Sequence, residues 1–311
     1  MSDLAVVFGA GSGLGAEIAR QYVQQGRPVR GVTRTGKGIP AGVDSHLADL
    51  MDRQAAIDSC RGASTIHLAA NVAYPDWLSA FPTMVANGIA AAEASNAKLV
   101  FTDNLYAYGP VDGPVDEGTV ERPQGPKEKL RAELGHTLLD AHAHGRARVT
   151  IGRVSDYYGP DARMSLPDEL IIEPLARGRN PMWFAPLGMP HTFAYSIDTA
   201  KALVILGDDP RADGRIFHTP AAETLSVSEF IKLAGAVSGR VRRPIRLPAT
   251  MIRVMALFDR RLRGYGELDH QRTSPWVIDH SAFDHTFGVL PVTSHEAAIK
   301  HTIEWYRQTK R

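Results

Sequence analysis

The sequence predicts an α/β fold, a doubly wound parallel sheet with a smaller interleaved C-terminal part. Three observations predict it. Strand-like and helix-like segments alternate through the first half of the chain, the pattern that builds a parallel sheet covered by helices on both faces. The first strand runs straight into Gly9-Ala10-Gly11-Ser12-Gly13-Leu14-Gly15 and then a helix. After Arg153 the alternation fades, and prolines, aromatics and arginines become frequent.

The elements follow in order. Leu4–Phe8 is an apolar strand, and Ala16–Val23 reads as a helix that stops at Gly26. Pro28–Thr33 and Val43–Leu47 are the next strands, and Asp52–Cys60 is a helix broken by Gly62. Ser64–Ala69 is a strand, and Leu78–Ser95 is a long helix with Pro82 in an early turn or bend. Lys98–Thr102, the helix Lys127–Gly145 and Arg148–Gly152 complete the run. Further on, Thr199–Leu206 and Arg215–Thr219 read as a helix and a strand that return to the sheet. A strand, a glycine turn and a helix N-terminus make a phosphate site. The glycines admit positive φ and close backbone approach, and the helix start offers free N–H groups and partial positive charge.

Composition narrows the class. The chain has 311 residues, 44% hydrophobic and 22% charged, enough for a large core and ordinary for a soluble globular protein. A net charge of +1 gives no reason to expect nucleic acid or an anionic membrane. Cys60 is the single cysteine, which excludes an intrachain disulfide and a cysteine-rich metal site and makes a reducing cytoplasm the simplest compartment. The N-terminal apolar run lacks a basic leader and is read as a core strand rather than a signal peptide. No apolar run is long enough to span a bilayer. The histidines show no ligand spacing, so no metal is expected. The clusters Arg240–Arg246 and Arg260–Arg263 are read as a solvated basic face. Met251–Phe258 is an apolar helix that lines a cleft or packs against a neighbour.

Several segments together resemble the short-chain dehydrogenase/reductase superfamily, particularly its extended branch of NAD(P)-dependent epimerases, dehydratases and reductases. After the glycine turn, Ala48-Asp49-Leu50 resembles the acidic turn that touches the adenine. His67-Leu68-Ala69-Ala70, with Asn71 following, resembles the strand ending beside the cofactor. Asn104-Leu105-Tyr106-Ala107-Tyr108-Gly109-Pro110 resembles the Ser-x-x-x-Tyr-Gly segment, and Arg153 through Tyr158-Gly159-Pro160 resembles the Arg…Tyr-Gly-Pro segment. His191–Asp198 resembles the segment that opens a late helix. One departure is that Gly9, Gly13 and Gly15 keep the spacing of the compact branch, with Phe8 where Thr is usual.

The resemblance implies a Rossmann-type nucleotide-binding domain over 1–159, with 190–220 returning to it. Residues 160–189 and 221–311 would form the smaller substrate-binding part. Cofactor contacts are expected from Gly9, Gly11, Ser12, Gly13, Leu14, Gly15, Arg34, Asp49, Leu50, Ala69, Ala70, Asn71 and Lys129. Trp183, Phe184, His191 and Tyr195 are read equally as cleft wall or as core. A small-molecule substrate is the expected partner, and a homodimer is compatible with it.

NAD-selective sites often carry a carboxylate at the end of the second strand. Here the segment reads Thr33-Arg34-Thr35-Gly36-Lys37. A guanidinium there suits an adenosine 2′-phosphate, so NADP is expected, with NAD as the alternative.

In this superfamily a Tyr normally moves the proton, a Lys holds the nicotinamide ribose, and a Ser or Thr orients the oxygen. Lys129-Leu130-Arg131-Ala132-Glu133 resembles the lysine segment, but the position four earlier is Gly125. Lys127, the other candidate, has Pro123 four residues earlier, and the Ser position is Asn104. Lys129, Tyr106, Asp103 and Asn104 are therefore the candidate catalytic residues, with Asp103 as a carboxylate base and Asn104 orienting an oxygen. Tyr108, Tyr157 and Tyr158 also follow strand ends, and packed structural roles are the competing reading of Tyr108 and Tyr158. The expected function is an NADP-dependent oxidoreductase moving hydride to or from a small organic substrate without the usual Ser/Tyr pair. The alternatives are a sugar-nucleotide epimerase or dehydratase and a non-catalytic NADP sensor.

Overall fold

The computed structural model describes residues 3–162, 165–184, 186–240, 242–258 and 265–309. The first half runs β1 (Leu4–Phe8), α1 (Gly13–Gln24), β2 (Val29–Thr33), β3 (Asp44–Leu47), α2 (Arg53–Ser59), β4 (Ala63–Leu68), α3 (Trp77–Ser95), β5 (Lys98–Asp103), α4 (Pro126–Ala143) and β6 (Arg148–Arg153). The second half continues with β7 (Asp156–Tyr158), α5 (Glu173–Ala176), β8 (Met182–Phe184), β9 (Pro190–His191), β10 (Phe193–Tyr195) and α6 (Ser196–Asp208). After these come β11 (Ile216–His218), β12 (Leu225–Ser226), α7 (Val227–Ser238), β13 (Ile245–Leu247), α8 (Ala249–Phe258), α9 (Asp269–Thr273), α10 (Ser281–Phe287) and α11 (His295–Gln308).

Seven strands make one sheet in the order β11-β6-β5-β4-β1-β2-β3, and every neighbouring pair is parallel. The apolar runs of β1, β4 and β5 are buried on both faces, as helix-covered parallel strands require. On one face α2, α3 and α4 bring Ala56, Phe81, Met84, Leu134 and Leu138 onto Val6, Ile66 and Leu99. On the other, α1 and α6 bring Leu14, Ile18, Tyr22, Leu203 and Leu206 onto Ala5, Val7 and Val100. Strand order reverses between β1 and β4, which opens a crevice at the carboxyl ends of the strands, where such sheets bind ligands. Helix α3 runs through Pro82 rather than bending out of helix there, giving up one backbone bond near its start.

A separate core holds Tyr158, Ile171, Leu175, Trp183, Phe193, Phe230, Ile299 and Tyr306. Trp183, Phe184 and Tyr195 belong to it, so these aromatics are core rather than cleft wall. His191 is buried as well, with Nε2 3.0 Å from Asp156. Phe283 of α10 packs with Phe217 of β11 on the sheet's other core, so this late segment also covers the sheet. Val254, Leu257 and Phe258 of α8 are exposed among the described residues.

Two buried histidines pair with tyrosines inside this frame. His67 Nε2 lies 2.8 Å from the Tyr22 hydroxyl, and His218 Nε2 lies 2.7 Å from the Tyr108 hydroxyl. Burial pushes His67 down to about 3 and His218 down to about 4. Both native values lie below the unfolded histidine value. Below pH ~6.5 the unfolded chain therefore binds protons that the native one refuses. Stability is full above that pH and falls as pH drops toward 4, by about 1.4 kcal/mol per pH unit for each histidine. Urea unfolding at pH 7.0 and pH 4.5 measures this loss. A His67→Gln variant should show a shallower pH slope than the parent, and an unchanged slope would remove His67 from the account.

Candidate dinucleotide site and the head of α4

Phe8 ends β1 against Leu68 of β4, and the chain turns at Gly9 with φ +88°. An ideal Cβ on Gly9 would lie 2.7 Å from the Ala70 Cα, so the turn sits directly on the Ala69-Ala70 segment. A Cβ on Gly15 would overlap the Gly9 carbonyl, which is how α1 comes so close to the turn. Ser12 is the N-cap in extended conformation, and its side chain makes no capping bond. There is no acidic residue in the first turn of α1 either. The first N–H groups thus face the crevice without an internal acceptor from the cap, an arrangement suited to a phosphate. Gly13 and Leu14 are buried within the first turn.

The loop after β2 packs on this turn. A Cβ on Gly11 would lie 2.7 Å from the Lys37 carbonyl. Arg34 and Lys37 are exposed there, and Arg34 has no ion-pair partner among the described residues. Asp49 is exposed beyond β3 and accepts a bond from the Met51 N–H at 3.0 Å. Leu50 is buried, its carbonyl held by Asn87 Nδ2 at 2.8 Å. Ala69 and Ala70 are half-buried at the end of β4, and Asn71 is exposed. The glycine cradle, the uncapped helix start and the exposed cation fit a dinucleotide carrying a pyrophosphate.

The candidate catalytic residues have different surroundings. Asp103 is fully buried at the end of β5, with Oδ1 3.2 Å from Arg131 Nη1 and Oδ2 3.4 Å from Arg153 Nε. Arg153 also reaches Glu121 Oε1 at 2.5 Å. Burial works against the Arg153 charge, but Asp103, Tyr108 and Glu121 outweigh it and raise its pKa. Asp103 is therefore a buried counter-ion to two guanidiniums, and this corrects the expectation of a free base. Asn104 Oδ1 accepts the Tyr106 N–H at 3.0 Å, closing the turn after β5. Tyr106 is half-buried with its ring stacked on Trp77, centroids 5.7 Å apart. Tyr108 and Tyr158 are buried partners of His218 and His295, so both are packed structural groups.

Lys129 is exposed on α4, whereas Lys127 is buried. Two residues along a helix lie about 200° apart around its axis, so the two lysines face opposite ways. Lys129, the lysine expected to hold the ribose, is thus on the exposed side of the helix, and the lysine turned inward is Lys127. Its ammonium sits 4.2 Å above the Tyr74 ring and 3.3 and 3.4 Å from the two Glu267 oxygens. Glu128 is also buried, and its Oε2 accepts the Gln124 and Gly125 N–H groups at 2.6 and 2.8 Å, bracing the helix start. Its Oε1 lies 3.2 Å from His270 Nε2. Glu267 and His270 escaped the sequence reading because they lie far along the chain from α4 and belong to no recognised motif.

Among the described residues no three His, Cys, Asp or Glu side chains come together as a metal site. No helix among them is long and apolar enough to cross a membrane.

The reversed strand order and the glycine turn define a Rossmann-type α/β protein. The chain belongs to the NAD dependent epimerase/dehydratase family, whose model matches residues 5–218. Over its whole length it is similar in structure to UDP-glucose 4-epimerase from Thermotoga maritima solved with UDP-glucose. The TM-score is 0.80 and the identity 16%, covering 98% of this chain and 99% of that one. It is also similar to the Thermus thermophilus UDP-glucose 4-epimerase in complex with NAD, at TM-score 0.80 and 17% identity, covering 99% and 100% of the two chains. The dTDP-glucose 4,6-dehydratase from Bacillus anthracis in complex with NAD gives 0.78 and 14%, covering 98% and 96%. No curated protein matches the chain by sequence.

Proposed function

We propose that this family member is an NADP-dependent oxidoreductase that moves hydride between the dinucleotide and a small organic substrate. The observation that carries the reading is the packing of the Arg34–Lys37 loop on the glycine turn, beside the uncapped start of α1. The pyrophosphate would lie on Gly11, Ser12, Gly13 and Leu14, with Gly9 and Gly15 giving it room. The adenosine end would meet Arg34, Asp49 and Leu50, and Ala69, Ala70 and Asn71 would border the other half. When bound, the group supplies or accepts the hydride. Arg34 gives a 2′-phosphate a bidentate cation, and no carboxylate occupies that position.

Binding of NADPH and NADH by fluorescence titration tests the preference. The expectation is that NADPH binds at least ~10-fold more tightly, and that Arg34→Ala removes most of that difference, as loss of a charge-assisted pair implies. Equal affinities in the parent protein would sink the NADP assignment.

A second reading, a sugar-nucleotide epimerase or dehydratase, draws on the whole-chain likeness to enzymes of that kind. Gly125 in the tyrosine position counts against it. Following NADPH consumption over carbonyls, enones and imines, alongside UDP-glucose conversion, separates the two. Tight NADPH binding with neither reaction would favour the sensor instead.

A further inference from the structure

We infer that Glu267, held by Lys127, is the proton-transferring group of this site and fills the place the missing tyrosine would take. The inference rests on the dinucleotide-dependent reading above. An ideal Cβ on Gly125 would lie 3.5 Å from the Glu267 Cβ and 3.7 Å from its Oε2. A side chain growing out of Gly125 would therefore pack in ordinary contact against Glu267, which brings a proton-exchanging group next to that position.

Its surroundings suit that work. The Glu267 side chain is 27% exposed, open enough to meet a substrate, while Lys127 is only 6% exposed. The ammonium lies within 3.4 Å of both carboxylate oxygens, so it can hold the carboxylate in place and balance its charge. Tyr74, beneath that ammonium, lies on the segment leaving β4, and the neighbouring Trp77 stacks on Tyr106 beyond β5. The pair thus stands at the carboxyl edge of β4 and β5, where the crevice of this fold lies. Three residues beyond Glu267, His270 meets Glu128, so two polar contacts clasp the 265–273 segment over the head of α4.

In the oxidative direction the Glu267 carboxylate takes the proton of a substrate hydroxyl while the carbon beneath it gives up hydride. The O–H and C–H bonds break, and a C=O bond forms. The electron pair leaves with the hydride to the oxidised dinucleotide, and the proton stays on Glu267 until solvent removes it. In the reductive direction the protonated carboxyl returns it.

The test reads Glu267 itself before any substrate is known. The carboxyl resonance in 13C-glutamate-labelled protein, assigned through Glu267→Gln, is followed at one pH alone and with oxidised or reduced dinucleotide. It should move by different amounts with the positively charged oxidised ring and the neutral reduced ring, as a carboxylate beside the reacting ring would. Lys127→Met should move it with or without dinucleotide, a readout that survives if Glu267→Gln folds poorly. With a substrate from the panel above, Glu267→Gln should slow hydride transfer at least ~100-fold while dinucleotide affinity stays within about twofold. If the dinucleotide binds but the Glu267 resonance does not distinguish the two rings, or the variant keeps its rate, the assignment is overturned. If no dinucleotide binds at all, the underlying reading falls with it.

Discussion

Asp103→Ala is expected to lower the unfolding free energy by about 3–5 kcal/mol, the cost of leaving buried charge without its partner. Its carboxylate is completely enclosed, and each oxygen faces a different guanidinium. Arg153 would keep Glu121, but among the described residues Arg131 would keep aromatic faces, with its guanidinium carbon 4.2 Å from the Trp77 ring centre and 4.0 Å from that of Phe81. Those contacts help a cation but do not replace a desolvated counter-ion. Asp103→Asn keeps the shape and loses the charge, so it should also destabilise, by less than Asp103→Ala. Urea unfolding of the two variants measures the effect. A catalytic base would behave differently, with turnover lost and the unfolding midpoint nearly unmoved, and that outcome would restore the role expected from sequence.

Asp103 shows why the frame was easier to read than the chemistry. Alternation of apolar strands and helices is a local property, and each strand of the first half appears within a residue or two of its expected place. The glycine turn is equally local, because strand, turn and helix start are consecutive in the chain. Asp103, in contrast, follows a strand and looks available until Arg131 on α4 and Arg153 on β6 close over it. Nothing in the spacing of these three residues announces that closure, which the parallel register of β5 and β6 produces by setting Asp103 beside Arg153.

The lysines show what helix phase decides. The segment Lys129–Glu133 carries the resemblance, and helix phase leaves Lys129 exposed and Lys127 buried. That phase depends on which face of α4 packs on α3, where Arg131, Leu134 and Leu138 are buried. Lys127 and Arg131 lie one turn apart on that same face. Glu267 was beyond reach for a different reason, since it meets α4 only through the tertiary path of the second half.

Gly9→Ala should abolish measurable dinucleotide binding, a loss of ~100-fold or more, because the added carbon meets backbone rather than a movable side chain. The Ala70 Cα would be 2.7 Å away and the Ala70 nitrogen 2.8 Å, so either β4 or the turn must move. The same turn is the crevice edge over which the proposed dinucleotide would lie, which couples the steric shift to the site. A positive φ adds a separate strain of roughly 1–2 kcal/mol for alanine. Gly26 isolates that component. It also has positive φ, +69°, but a Cβ there meets nothing within 4 Å. Gly26→Ala should therefore lose about 1 kcal/mol of stability and keep dinucleotide affinity, while Gly9→Ala loses both. Calorimetric titration with NADPH and urea unfolding of the two variants make the comparison. Equal, small effects would mean that the turn tolerates a side chain and that its closeness to Ala70 carries no binding function.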